Sequence, residues 1–175
     1  KDNPFAAQGV RASMMVFEEI GMFENLRAVY AATKDCMADG STKYGSGMFI
    51  GTGGDMHGGG TIDAHYMFYH PDQFQLLVYD DIWENTGKIA YFIPAEMGLN
   101  DFKDKDGNTQ WEKATKYLQE ERKRMSSAKG SSITLQNYIV YHPQVPSEIF
   151  LTSHGNIMPV AELQQHGMHL KSTES

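Results

Sequence analysis

Apolar positions fall in short blocks over the first fifty residues. Met14-Met15-Val16-Phe17 places four together, too few for a helix and with a β-branched Val, and predicts a strand over 13–18 buried on both faces. Residues 24–38 set Leu26, Val29, Tyr30, Thr33 and Met37 at three- and four-residue steps, which predicts an amphipathic helix with Gly40 as its C-cap. Ser46-Gly47-Met48-Phe49-Ile50 is a second short apolar run, ending in Gly51-Thr52-Gly53-Gly54-Asp55. A strand, a crossover helix and another strand make a βαβ unit, so the two strands are expected to be parallel neighbours. Arg11, just before the first strand, either pairs with an acid or is solvated.

Downstream the punctuation changes. Gly58-Gly59-Gly60 reads as a flexible joint before a helix capped by Thr61 or Asp63, with Ile62, Tyr66 and Met67 on its apolar side and Pro71 at its end. Phe74–Tyr79 and Lys88–Ile93 are strand-like around an Asn85-Thr86-Gly87 turn, and Pro94 stops the second. A long helix is predicted over 109–129, with Trp111, Ala114, Leu118 and Met125 on one side and Glu120, Glu121, Arg122, Lys123 and Arg124 as a solvated surface. A further helix runs from Ser131 to Tyr141, followed by a helical turn at 147–151 and a last helix over 160–166 opened by Pro159. The class is α/β.

Composition narrows the picture modestly. At 175 residues, 41% hydrophobic and 11% aromatic, the chain can bury one core with an appendage. A formal charge of −7 argues against a broad nucleic-acid surface, though not against a small basic patch. No apolar run approaches membrane-spanning length. Cys36, the one cysteine, excludes an internal disulfide and reads as a small apolar filler. The chain opens on Lys1-Asp2-Asn3-Pro4 without a methionine and reads as a piece of something longer.

The candidate chemistry lies where the first strand ends. Glu18 and Glu19 follow Phe17 with no polar spacer. A parallel strand delivers such residues to the carboxyl edge of its sheet, where open α/β folds bind ligands. Two acids there suit a Walker B edge, one holding the Mg²⁺ of a nucleotide and the next polarising water. The plainer alternative is a core strand ending in two solvated acids. Thr52 is expected at the same edge, as a hydroxyl that senses a γ-phosphate or as part of a plain Gly-rich turn. The glycines around it lack the Gly-Lys-Ser/Thr ending of a phosphate loop.

Other clusters offer less. Asp104-Lys105-Asp106-Gly107-Asn108 resembles half of a calcium loop, but Phe102 and Lys113 would fall at ligand positions, so it reads as a turn into a helix. His57, His65, His70, His142, His154, His166 and His169 are scattered and read as surface or capping residues rather than a zinc site. Ser153-His154 and Cys36 form no nucleophile arrangement. Tyr66, Phe68, Tyr69 and Phe74 read as core rather than a base-stacking platform.

Several stretches together resemble the large terminase subunit of tailed bacteriophages, a DNA-packaging motor. They are Val16-Phe17-Glu18-Glu19-Ile20-Gly21, Gly51-Thr52-Gly53-Gly54-Asp55, Met67-Phe68-Tyr69-His70-Pro71, Phe92-Ile93-Pro94-Ala95-Glu96-Met97-Gly98-Leu99, Asp104-Lys105-Asp106-Gly107-Asn108, Pro146-Ser147-Glu148-Ile149-Phe150-Leu151 and Asn156-Ile157-Met158-Pro159-Val160-Ala161-Glu162-Leu163. Their order is similar to the family's course from Walker B, through the coupling motif, to the end of the ATPase region. The resemblance implies part of a P-loop, RecA-like sheet at 1–77, a small ATPase subdomain at 78–151 and a linker toward a nuclease domain at 152–175. It implies Glu18 as the Mg²⁺ ligand (Asp is commoner there), Glu19 as the catalytic carboxylate, and Thr52 as the coupling hydroxyl at the ATP. Implied partners are double-stranded DNA, portal protein, small terminase subunit and further copies in a ring, in the cytoplasm of an infected bacterial host. The Walker A lysine and the nuclease acids are missing, so this stretch alone is expected neither to hydrolyse ATP efficiently nor to cut DNA. The rival readings are a non-catalytic docking module and part of another P-loop enzyme such as a helicase.

Overall fold

Strands β1 (Met14–Phe17) and β4 (Ser46–Phe49) pair in parallel, in register from Met14↔Ser46 to Phe17↔Phe49, as the βαβ pattern predicts. The computed structural model describes residues 11–52, 59–127 and 132–150, and among them the fold is mixed α/β, with four α-helices and three two-stranded sheets. Phe17 and Phe49 stack across the pair with ring centroids 4.5 Å apart, and Tyr30 of helix α1 (Leu26–Thr33) meets Phe49 edge-on. Leu26, Ala64 and Met67 form the buried centre beneath them. The opposite face of the sheet is not buried as expected. Met14, Val16 and Met48 stay 54%, 50% and 47% exposed, because no layer of the described residues covers that side. β1 is a one-sided strand.

Helix α1 is shorter than its periodicity suggests. The Thr33 hydroxyl donates back to the Val29 carbonyl at 2.8 Å, and the chain tightens into a 3-10 turn over Lys34–Met37. The inward face still holds, since Leu26, Thr33, Cys36 and Met37 are all buried. Gly40 does not cap the helix. It sits at φ 60° in the two-residue turn of a hairpin, β2 (Ala38–Asp39) with β3 (Thr42–Lys43). That hairpin brings Asp39 to Arg11 at 3.0 Å, an exposed pair of little energetic weight.

Helix α2 (Gly59–Tyr69) begins inside the expected joint; Gly58 lies outside the described residues. Thr61 and Asp63 do not cap it. Both are buried and reach across to other elements, while Ile62 is 48% exposed. The helix is apolar around most of its circumference, so its pattern does not specify which face turns inward. Pro71 ends it as predicted and opens a 3-10 turn over Pro71–Phe74.

The second hairpin is reduced to β5 (Tyr79–Asp80) and β6 (Lys88–Ile89). Asp81 winds the connection tight, accepting from the Trp83, Glu84 and Thr86 amides at 3.0, 3.1 and 3.0 Å and from the Thr86 hydroxyl at 2.6 Å. Past Ile89 the chain leaves the ladder, and the Ala90 amide docks on the Phe68 carbonyl of α2 at 2.8 Å. Helix α3 (Trp111–Ser126) buries Ala114 and Leu118, as expected, but leaves Trp111 44% exposed. Its charged run is not uniformly solvated. The Arg122 side chain is only 18% exposed and forks onto Glu148 with two 2.7 Å bonds, tying α3 to the 3-10 turn Pro146–Phe150 that follows helix α4 (Ser132–Tyr141). Among the described residues no helix is long and apolar enough to cross a membrane. The expected helix over 160–166 and the linker over 152–175 lie outside them.

Candidate functional site

The carboxyl edge of the parallel pair is built from two backbone bonds and a close approach. Ile50 N donates to Phe17 O at 2.9 Å, and Ile20 N to Ile50 O at 3.2 Å, so the ladder brackets Glu18 and Glu19. Glu19 then breaks the strand. Its backbone is left-handed (φ 50°, ψ 49°), which costs a non-glycine residue roughly 1–2 kcal/mol. The chain folds at once into a 3-10 turn over Ile20–Met22, closed by Met22 N donating to Glu19 O at 2.8 Å. Gly51 lies against that turn. A Cβ there would stand 2.8 Å from Ile20 N and 3.3 Å from the Glu19 carbonyl carbon, so only glycine lets the second strand pass so close.

This approach delivers Thr52 to Glu19. The Thr52 hydroxyl stands 3.5 Å from Glu19 Oε2, the far limit of a hydrogen bond, and both side chains are exposed. Hydroxyl and carboxylate stand together without locking each other. Glu18, one residue before, is also exposed, and no group among the described residues engages its carboxylate. Thus the structure brings two of the three predicted residues into contact and leaves the third as their neighbour in sequence. Gly53, Gly54 and Asp55 lie outside the described residues.

Mg²⁺ is usually held by one or two carboxylates together with waters and substrate phosphates, not by an all-protein cage. Glu18, Glu19 and the Thr52 hydroxyl are hard oxygen donors, exposed and little engaged, which fits that open kind of site. A closed cage is not on offer, since no cluster of three or more His, Cys, Asp or Glu occurs among the described residues.

Several other ionisable groups serve the fold. Burial pushes the Asp81 carboxyl up, but the Thr86 hydroxyl and the Thr86, Glu84 and Trp83 amides outweigh it and hold its pKa below the ordinary carboxylate value. Burial, with the charges of Glu84 and Asp81, pushes the Tyr69 phenol up to about 12. His65 is no surface residue. It lies between the Tyr69 and Phe150 rings, each 4.8 Å away, where burial and then His70 lower its pKa. Asp104 accepts from the Asp106 and Asn108 amides and from the Asn108 side chain, which makes the expected turn. A shallow depression lined by Leu99, Asn100, Asp101, Phe102 and Tyr117 contains no paired acid and base.

Sequence reasoning missed two contributors to the edge. Thr61 donates its hydroxyl to Gly21 O at 3.2 Å, and Gly60 lets α2 lie directly against Phe23 and Gly21. A run of three glycines read only as flexibility hid the second, although glycine also marks close backbone approach. Nothing local to Glu19 signals its left-handed backbone. Comparison of the chain with protein-family models, with curated proteins and with solved structures returned no match in any of the three, so the site stands on its own geometry.

Proposed function

We propose that this chain is the stretch from Walker B to the end of the ATPase region in a RecA-like motor ATPase of the large terminase kind. The observation that carries this reading is the parallel β1–β4 pair, with Glu19 and Thr52 3.5 Å apart just past its carboxyl edge. The series of family-like stretches quoted above supports it from the sequence side. Glu18 is the residue that would hold Mg²⁺. Bound Mg²⁺ supplies charge neutralisation for the β- and γ-phosphates. Glu19 orients the attacking water and accepts its proton, a task that suits an exposed carboxylate at a strand end. Thr52, touching Glu19, gains or loses one hydrogen bond as the γ-phosphate comes and goes, and so couples hydrolysis to movement. In this reading the complete protein packages double-stranded DNA, as a ring on a portal with a small terminase subunit, in the cytoplasm of an infected bacterium.

The docking-module reading draws on one specific observation, the exposed apolar face of Met14, Val16 and Met48. A single experiment separates the two. In the gene product that includes the residues encoded upstream, Mg-dependent ATP hydrolysis is expected, and Glu19→Gln should lower kcat by at least about 100-fold. Hydrolysis that survives this substitution removes Glu19 from its role. No hydrolysis and no Mg-ATP binding in the unsubstituted protein leaves the docking module.

A further inference from the structure

We infer that Thr61 is a positioning residue for Glu19, acting through the Gly21 carbonyl. A left-handed glutamate persists only where its surroundings over-determine it. Below the turn that follows Glu19 lie Ile50 and Gly51 of the sheet edge. Above it lies the first turn of α2. There Thr61, 2% exposed, donates its hydroxyl to Gly21 O at 3.2 Å. One residue earlier, a Cβ on Gly60 would stand 2.1 Å from Phe23 O and 2.8 Å from Gly21 O, so the helix rests directly on the carbonyls of the turn. The helix cannot slide freely, because Asp63 accepts from the Arg27 amide at 3.2 Å and from Arg27 Nε at 2.6 Å, fixing it to α1. A Cβ on Gly21 would meet Thr52 O at 3.5 Å, so the same turn also spaces Thr52.

The chain of contact is short: Thr61 hydroxyl, Gly21 carbonyl, 3-10 turn, Glu19. Without the hydroxyl, the part-buried Gly21 carbonyl loses this donor. The turn then relaxes toward ordinary backbone geometry, and Glu19 swings away from Thr52. The far half of α2 touches the region beyond residue 78, through Phe68 O with the Ala90 amide and through His65 and Phe68 with the Phe150 ring. Thr61 therefore ties the position of Glu19 to a helix that this region grips.

The geometric claim stands by itself; its catalytic consequence rests on the proposed function. Two readouts keep them apart. In the 175-residue chain, backbone chemical shifts should report a left-handed Glu19 in the unsubstituted protein and in Thr61→Ser, and its loss in Thr61→Val. In the longer gene product, Thr61→Val should lower kcat by about tenfold or more with KM unchanged, the mark of a misplaced group rather than weakened binding, and Thr61→Ser should restore it. Thr115→Val, which removes a hydroxyl from Glu96 instead, should leave kcat unchanged. Thr61→Ala serves where Thr61→Val does not fold. An unchanged Glu19 shift in Thr61→Val overturns the inference, whereas a moved shift with kcat intact bears out the contact and overturns the catalytic role given to Glu19. Absence of ATPase in every form refutes the proposed function and leaves the shift comparison to decide Thr61.

Discussion

The acids of the sheet edge and four acids beyond residue 78 live under opposite conditions. Asp81, Glu84, Glu96 and Glu148 are each consumed by the fold. Asp81 gathers a turn, and Glu84 takes the amide and hydroxyl of Ser147 at 2.8 and 2.6 Å. Glu96, 4% exposed, accepts from Thr115 and Gln144 at Oε1 while its buried Oε2 has no partner among the described residues, and Glu148 holds Arg122. Glu18 and Glu19 are exposed, and among the described residues the one contact of the Glu19 carboxylate is the long one to Thr52. A carboxylate already surrounded by donors has little left to offer a ligand. One that is under-engaged, at a strand end, on a strained backbone, is available. The contrast separates structural acids from candidate catalytic ones where net charge and residue type do not.

Removing charged groups in the two regions should change stability in opposite directions. The largest effect is expected at the Arg122–Glu148 pair. Arg122→Met leaves the part-buried Glu148 without its cation and should cost about 1.5–3 kcal/mol, read as a lower urea midpoint with an unchanged slope. The double variant Arg122→Met with Glu148→Leu should cost less than that single one. A cost below about 1 kcal/mol for the single variant, the range of surface pairs, would return Arg122 to the solvated surface that its sequence context suggests.

Next comes Asp81→Asn, expected to cost about 1–3 kcal/mol at neutral pH because an amide NH2 replaces one of the two oxygens that accept from the turn. Since the folded pKa of Asp81 lies below its unfolded value, its contribution is full above about pH 4 and fades as pH falls through the folded value. The two proteins should therefore converge in stability in acid. A gap that stays constant with pH would mean the charge is not what matters. The smallest effect has the reverse sign. Glu19→Gly removes an acid yet should raise stability by about 1 kcal/mol, since glycine adopts the left-handed backbone without strain. A loss instead would show Glu19 to be a structural acid like the others.

Much of the sheet edge was legible in the sequence because short apolar runs and a crossover helix leave few topologies. The β1–β4 pairing and the meeting of Glu19 with Thr52 follow from that restriction. What was not legible depended on partners distant in sequence. Arg122 looks solvated within its own run, yet it is held part-buried by Glu148, 26 residues away, and by the His142 carbonyl, 20 residues away. Thr61 looks like a cap and acts instead on Gly21, 40 residues earlier. Gly40 was expected to end a helix, whereas Gly40-Ser41 is also a two-residue hairpin signal. The apolar run of β1 could not reveal that only one of its faces would be covered.

The central claim of the proposed function is that Glu18, Glu19 and Thr52 offer a hard-cation edge where Asp81, Glu84, Glu96 and Glu148 do not. Paramagnetic broadening by Mn²⁺, titrated into the isotope-labelled chain with ATP present, tests it most directly. The account predicts that amide signals at Glu18–Gly21 and Gly51–Thr52 broaden first, and that Glu18→Gln together with Glu19→Gln abolishes the effect. Broadening that begins at Asp104–Asp106 or along α3, with the strand end untouched, would contradict it.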